Sequence, residues 1–413
     1  MPSRHASQGV PPVNPSLALL LSIALVLVLL RLKLQPGPAV FIGSIVLSLL
    51  VLPVSDVPLL MLNALKDPST LRLLGIVICA LTMSRMMELR GMLVQLANAL
   101  ESIGPKLAVH IAPVAIGLMP IPGGALVSAA ALKELVHRLG LNAAQATYIN
   151  FWFRHLCEFA TPVYPGVIMA GVFLAVPLSF MLLHLAPIWI LMLLFGLMVS
   201  WRILRKTVPV AAGDSSSTNV VGQLFRSAWP VILMFGLVLA GVDAAPAFLV
   251  TVLALILQQR MPLNEVESGI RYGLEPRILF LLYAVMLFKT VLDTSGAAHS
   301  LFDQMQLMGI PHAVMLILLP LLIGFSTGLS SAMVGISIPL LSPFIMTEGS
   351  VDGAALLLAY GAGGIGYLLS PLHLCLVLSA EYYHARLASV YRYLLPPALA
   401  VLAGLGIGYL ALG

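Results

Sequence analysis

Four polar side chains stand close together in a stretch that is otherwise apolar: Asn150, Arg154, His155 and Glu158, within YINFWFRHLCEFATPVYPG at 148–166. In a continuous helix, residues 150, 154 and 158 lie along one face. Arg154 offers a planar, permanently charged fork, the group best suited to gripping a carboxylate or similar oxyanion. The same spacing also allows a buried structural pair of Arg154 with Glu158, since charges inside an apolar environment pair with one another. Lys289 and Asp293 repeat the interval and read as a self-neutralising pair near a helix end, with the lysine snorkelling. His373 is either a proton carrier near neutral pH or a neutral hydrogen-bonding group.

These residues sit beside interruptions rich in Pro, Gly and Ser. Four are visible: Met119-Pro120-Ile121-Pro122-Gly123-Gly124, Thr161-Pro162-Val163-Tyr164-Pro165-Gly166, Thr327-Gly328-Leu329-Ser330-Ser331 and Ser370-Pro371-Leu372-His373. A broken helix in an apolar medium exposes N–H and C=O groups, and is tolerated only inside protein or along a wet cavity. The N–H ends attract anions and the freed carbonyls attract cations, so one such centre can bind an organic anion and Na⁺ together. Positions near Gly124, Thr161, Ser330 and Ser370 are the candidates for Na⁺. Tyr164 and the hydroxyls of Thr161, Thr327, Ser330, Ser331 and Ser370 are candidate ligands, each also explicable as a hydroxyl that satisfies the local break.

The elements that must position these groups are membrane helices. Of 413 residues, 60% are hydrophobic and 9% charged, against roughly 45–50% and about 25% in soluble domains. The apolar residues form blocks near the 20 residues a helix needs to cross a bilayer. Ten spans are expected, at 16–32, 37–53, 71–88, 147–180, 182–203, 227–242, 244–259, 276–294, 353–380 and 392–412. Two further apolar segments, 105–141 and 311–347, read as re-entrant hairpins of half-length helices. The first run is followed, not preceded, by Arg31 and Lys33, the reverse of a cleaved signal peptide, so it is read as a retained span.

With both termini outside, every Lys and Arg lies in the cytoplasm or at its boundary except Arg4, Lys66 and Arg72 outside and Arg154 and Lys289 within spans. The net charge of +5 is spread between apolar blocks and forms no nucleic-acid face. Cys79, Cys157 and Cys375 show no metal-ligand spacing and are expected as buried thiols. No hydrolase, metalloprotease, Walker or dinucleotide motif is present, so no enzyme activity is expected.

The two halves resemble each other. PVAIGLMPIPGGALV from Pro113 aligns with PLLIGFSTGLSSAMV from Pro320 at an offset of 320 − 113 = 207. Upstream, Arg72, Glu88 and Gly91 match Arg277, Asp293 and Gly296 at an offset of 205, and downstream Thr161-Pro162 matches Ser370-Pro371 at 209. Each half then holds five crossings and one hairpin. An odd number of crossings inverts the second half relative to the first. The expected organisation is a first repeat at 1–206, a cytoplasmic linker at 207–226 and a second repeat at 227–413.

The runs PGGALVS at 122–128, YINFWFRHLCEFATPVYPG at 148–166 and SPLHLCLVLSAEYY at 370–383 resemble the bacterial and archaeal membrane family numbered 401 among the domains of unknown function. That family looks like a branch of the ion transporter superfamily, which also holds gluconate, citrate, dicarboxylate and Na⁺/H⁺ transporters. The resemblance implies a homodimer in which hairpins and interrupted spans move as an elevator against scaffold helices. Dicarboxylate relatives carry Ser-Asn-Thr at both hairpin tips. Pro122-Gly123-Gly124 and Gly328-Leu329-Ser330-Ser331 depart from that pattern, which weighs against dicarboxylates.

The expectation is therefore an all-α, multi-pass protein of the cytoplasmic (inner) membrane. Its expected activity is secondary transport of a small organic anion, coupled to Na⁺ or H⁺, with the lipid bilayer as its surroundings and no cofactor beyond a coupling ion. The alternative is Na⁺/H⁺ or related antiport, with Glu158 and His373 carrying protons and Arg154 structural. A transport-inactive ligand sensor on the same fold is a third reading.

Overall fold

The computed structural model describes residues 13–92, 95, 104–118, 124–159, 161–205, 220–347 and 349–412. Its helices begin where the sequence offers caps. Asn14, Asp67, Asp243 and Asp352 accept hydrogen bonds from the first backbone N–H groups of α1 (Pro15–Arg31), α4 (Pro68–Leu89), α12 (Ala244–Gln258) and α19 (Gly353–Leu368). Proline stands in the first turn of α2 (Pro36–Val51), α3 (Val57–Lys66), α5 (Pro105–Gly117), α9 (Pro165–Phe173) and α14 (Pro276–Ser295), where its missing N–H costs no helical bond.

The remaining helices are α6 (Gly124–Ala131), α7 (Lys133–Arg138), α8 (Ala143–Arg154), α10 (Leu178–Leu204), α11 (Val220–Leu239), α13 (Leu263–Gly273) and α15 (Ala297–Leu307). They continue with α16 (His312–Thr327), α17 (Ser330–Leu340), α18 (Ser342–Ile345), α20 (Leu374–Tyr382) and α21 (Leu387–Leu412). A two-stranded antiparallel ribbon, β1 (Met346–Thr347) and β2 (Ser350–Val351), precedes α19.

Among the described residues, four stretches are long and apolar enough to cross a membrane: Pro68–Leu89, Leu178–Leu204, Leu263–Ser295 and Leu387–Ala411. Shorter apolar helices occupy most of the other expected spans. The expected spans 147–180 and 353–380 are each divided in two, α8 with α9 and α19 with α20. The segments expected as hairpins are the pairs α5/α6 and α16/α17, which pack side by side. At 1.5 Å per residue, α5 and α6 are about 20 and 12 Å long, short of the roughly 30 Å hydrocarbon core.

Three short helices, α3, α13 and α15, were not expected. Helix α11 begins at Val220, inside the segment expected as the linker.

Two groups of helices result. In one, α2 packs on α1 and α14, and α4 packs on α12 and α13. In the other, α16 lies along α19, α5 along α8, α9 along α17 and α6 along α20, with α10 and α21 packed together beside them. The groups meet where α14 touches α17 and α4 touches α9. Lys289 donates to Asp293 at 2.7 Å on the α14 surface, so that pair neutralises itself as its spacing suggests.

Candidate functional site

Arg154 is delivered by a firmly anchored helix. Asn142 and Gln145 form a reciprocal capping box at the start of α8. On its flank, the Trp152 indole N–H donates to the Met192 carbonyl and the Tyr148 hydroxyl donates to Gly196, both at 3.0 Å on α10. Any side chain at Gly196 would overlap the Trp152 ring. The α-helix then stops at Arg154, earlier than the break read at 161–166, and Leu156–Phe159 forms a 3-10 turn. Glu158 N–H accordingly donates to the His155 carbonyl at 3.2 Å and not to Arg154. Residue 158 therefore leaves the helical face it was expected to share with 150 and 154.

Close backbone approaches set the hairpins onto these broken helices. A Cβ at Gly117, near the end of α5, would overlap the Arg154 carbonyl, and one at Gly324 in α16 would overlap the Gly363 carbonyl of α19. Glycine is the only residue that fits such contacts without displacing a backbone. The two seats are equivalent, because Gly117 and Gly324 differ by 207 and Arg154 and Gly363 by 209. Gly328, in the left-handed conformation (φ 64°) that ends α16, lies against Ser370, Leu372 and His373 of the other break.

At the centre, Arg154 is 3% exposed. Its guanidinium lies against Gly124, the first residue of α6, where a Cβ would overlap it, and its Nη1 is 3.5 Å from Cys375 Sγ. Asn150 donates to the Ala125 carbonyl at 3.1 Å and to Ser379 Oγ at 2.9 Å, joining α8 to both α6 and α20. Tyr164 donates to the Gly117 carbonyl at 2.5 Å. Glu158 accepts from the Tyr367 hydroxyl at 2.8 Å and lies 3.7 Å from His155 Nε2, which is 3.0 Å from His373 Nε2.

The candidate hydroxyls largely serve the breaks themselves. Thr161 donates to Cys157 at 2.9 Å, Thr327 donates to Gly324 at 3.3 Å, and Ser370 accepts from the Leu372 N–H at 3.2 Å. Ser330 and Ser331 open α17 half-buried, with Ser330 facing Gly166 of α9. Pro122 and Gly123 lie outside the described residues. The structure thus gathers Gly124, Asn150, Arg154, His155, Glu158, Tyr164, Gly328, Ser370 and His373 around one polar centre.

Sequence reading missed Tyr367, Cys375 and Ser379 there. Tyr367 was within reach of the repeat alignment, since 367 − 158 = 209, the offset that relates the two breaks.

The Tyr367 bond is made to a carboxylate, so Tyr367→Phe is expected to cost about 1.5–3 kcal/mol, against about 0.5–1.5 for Tyr391→Phe, whose hydroxyl donates to a neutral carbonyl. Thermal unfolding of the purified variants measures the difference. Equal shifts in apparent Tm would show that Glu158 gains nothing from the phenol.

Long apolar helices, paired short helices and a polar centre where helix breaks converge point to a multi-pass membrane protein. Its fold is shared with a transporter: the crystal structure of YdaH from Alcanivorax borkumensis, described as having an unusual topology, aligns with a TM-score of 0.62 at 16% identity, covering 96% of this chain and 98% of that one. The chain belongs to the family described as "Protein of unknown function (DUF401)", whose model matches residues 13–412. Comparison with curated proteins gives no match.

Proposed function

We propose that the chain is a secondary active transporter that moves a small organic anion across the cytoplasmic membrane, coupled to Na⁺ or H⁺. The observation that carries this reading is the Arg154 guanidinium, buried and held against the N-terminal end of α6. A permanent cation beside helical N–H groups is a complementary surface for a carboxylate or similar oxyanion. The second half has no equivalent: position 363 is glycine, and a Cβ there would overlap Met333. The anion site is accordingly one-sided, at the first hairpin.

An inverted repeat is supported by the last helices of the two halves. Gly404 of α21 lies against Leu191 of α10, and a cavity joins Arg392 to Arg202. As one number rises the other falls, so α10 and α21 run antiparallel. The glycine seats at 117 and 324 support each hairpin travelling together with its broken helix, as an elevator requires. Membership of the ion transporter superfamily, a homodimer, and termini on the outer side complete the proposal.

A second reading, Na⁺/H⁺ antiport, is favoured by the chain Glu158–His155–His373, whose side chains are close enough to relay a proton. Reconstituted vesicles separate the two. Uptake of an organic acid from a metabolite panel, driven by an imposed Na⁺ or H⁺ gradient, is expected. Movement of internal pH by Na⁺ with no acid accumulated would replace the first reading with the second.

A further inference from the structure

His155, His373 and Cys375 come from opposite halves of the chain, yet one ligand atom from each lies within 4.8 Å of the others. His155 follows α8, while His373 and Cys375 begin α20, so the convergence follows from the packing of the two breaks. The His155 and His373 rings pack against aromatic side chains. Phe151 is 4.4 Å from His155 and 5.2 Å from His373 between centroids, and Tyr367 stacks on His373 at 5.8 Å and 19°.

The geometry of the His155 imidazole is that of a metal ligand. His155 Nδ1 meets the Phe151 carbonyl at 2.6 Å. A carbonyl only accepts, so Nδ1 carries the proton and the neutral ring presents a lone pair at Nε2. This is the outer hydrogen bond that fixes the tautomer of a metal-binding histidine. That lone pair faces His373 Nε2 at 3.0 Å. Around a tetrahedral ion with bonds of about 2.0–2.1 Å, two nitrogens stand about 3.3–3.4 Å apart, so a shift of a few tenths of an ångström admits a metal between them.

We propose that His155, His373 and Cys375 form a buried site for a transition-metal ion of the Zn²⁺ class. Nitrogen and sulfur ligands select such ions over Na⁺, Mg²⁺ or Ca²⁺. Glu158 Oε1, 3.7 Å from His155 Nε2, borders this three-ligand group. Binding displaces the Cys375 thiol proton to solvent and involves no change of oxidation state. The site goes beyond the transport reading, since it takes an ion with no organic substrate present.

The test uses full-length protein in detergent, stripped with a chelator and titrated with Co²⁺ as an optical probe for Zn²⁺. The expected wild-type spectrum combines a thiolate-to-cobalt charge-transfer band with the visible absorption of a tetrahedral site, both displaced by Zn²⁺. Cys375→Ser should abolish the charge-transfer band, and His373→Gln should weaken Zn²⁺ binding by about 100-fold. Cys79→Ser, with its sulfur on α4, should change neither. Absence of the charge-transfer band in wild-type protein overturns the proposal, and that measurement stands even if a variant does not fold. A band that survives Cys375→Ser, or unchanged Zn²⁺ affinity in His373→Gln, overturns it equally.

Discussion

Arg154→Lys should transport its anion with an apparent affinity lowered by about 5- to 150-fold, ~1–3 kcal/mol, while its apparent Tm stays close to wild type. Lysine keeps the charge but loses the planar fork, and its ammonium cannot lie flat against Gly124 as the guanidinium does. Arg154→Ala should abolish uptake. Glu158 keeps the Tyr367 hydroxyl in that variant, so a folded, inactive protein is the expected outcome. Uptake in vesicles, with binding of the coupling ion measured separately, decides the matter. Wild-type affinity in Arg154→Lys would remove arginine from the substrate site. Ion exchange that persists in Arg154→Ala/Glu158→Ala would also count against the proton role of Glu158.

Gly324→Ala is expected to be strongly damaging, costing about 1–3 kcal/mol or more and lowering activity with stability. The new Cβ would collide with the Gly363 carbonyl and close on the Tyr367 N–H. Neither group can rotate away, because both are backbone of α19. The whole of α16 must lift, carrying with it the turn at Gly328 that touches Ser370 and His373. Gly406→Ala in α21 is the internal comparison. No atom lies within 4 Å of its Cβ position, and alanine there should be neutral or stabilising by about 0.5–1 kcal/mol. Thermal unfolding of the pair tests the claim. Similar melting of both variants would mean that the α16–α19 seat is not tightly packed.

Much of the fold was legible because its signals are local. Apolar blocks near membrane length, separated by polar residues and Gly- or Pro-rich breakers, give most spans. The breaks at 161–166, 327–331 and 370–373 were legible for the same reason. The helices α3, α13 and α15 were not, because each is only 10 or 11 residues long and lacks the apolar length by which a span is recognised. The end of α8 at Arg154 was also hidden. Pro162 alone would let the helix run further, and what accompanies its earlier end is Gly117 packed on the Arg154 carbonyl, a contact set by a hairpin 37 residues upstream (154 − 117).

The polar centre was half legible. Asn150, Arg154, His155 and Glu158 announce themselves as polar residues in an apolar run. Cys375 does not, since its partners His155 and Arg154 lie more than 200 residues away (375 − 155 = 220). Spacing rules for metal ligands describe sites made within one short segment. They are silent on a site assembled from two broken helices that only tertiary packing brings together.

The bond between Glu158 and Tyr367 has a bearing on ancestry. The two residues occupy matching places in the two halves, and matching places touch only at the axis that relates them. Had the chain arisen from a single half pairing with its own copy, this spot would have held the same side chain twice: two glutamates that repel, or two phenols with no carboxylate to receive them. In the inverted repeat proposed above, fusion of such copies into one gene would let the two places diverge, one becoming the acid and the other its donor. Arg154 and Gly363 would show the same divergence, a cation on one side and the smallest residue on the other.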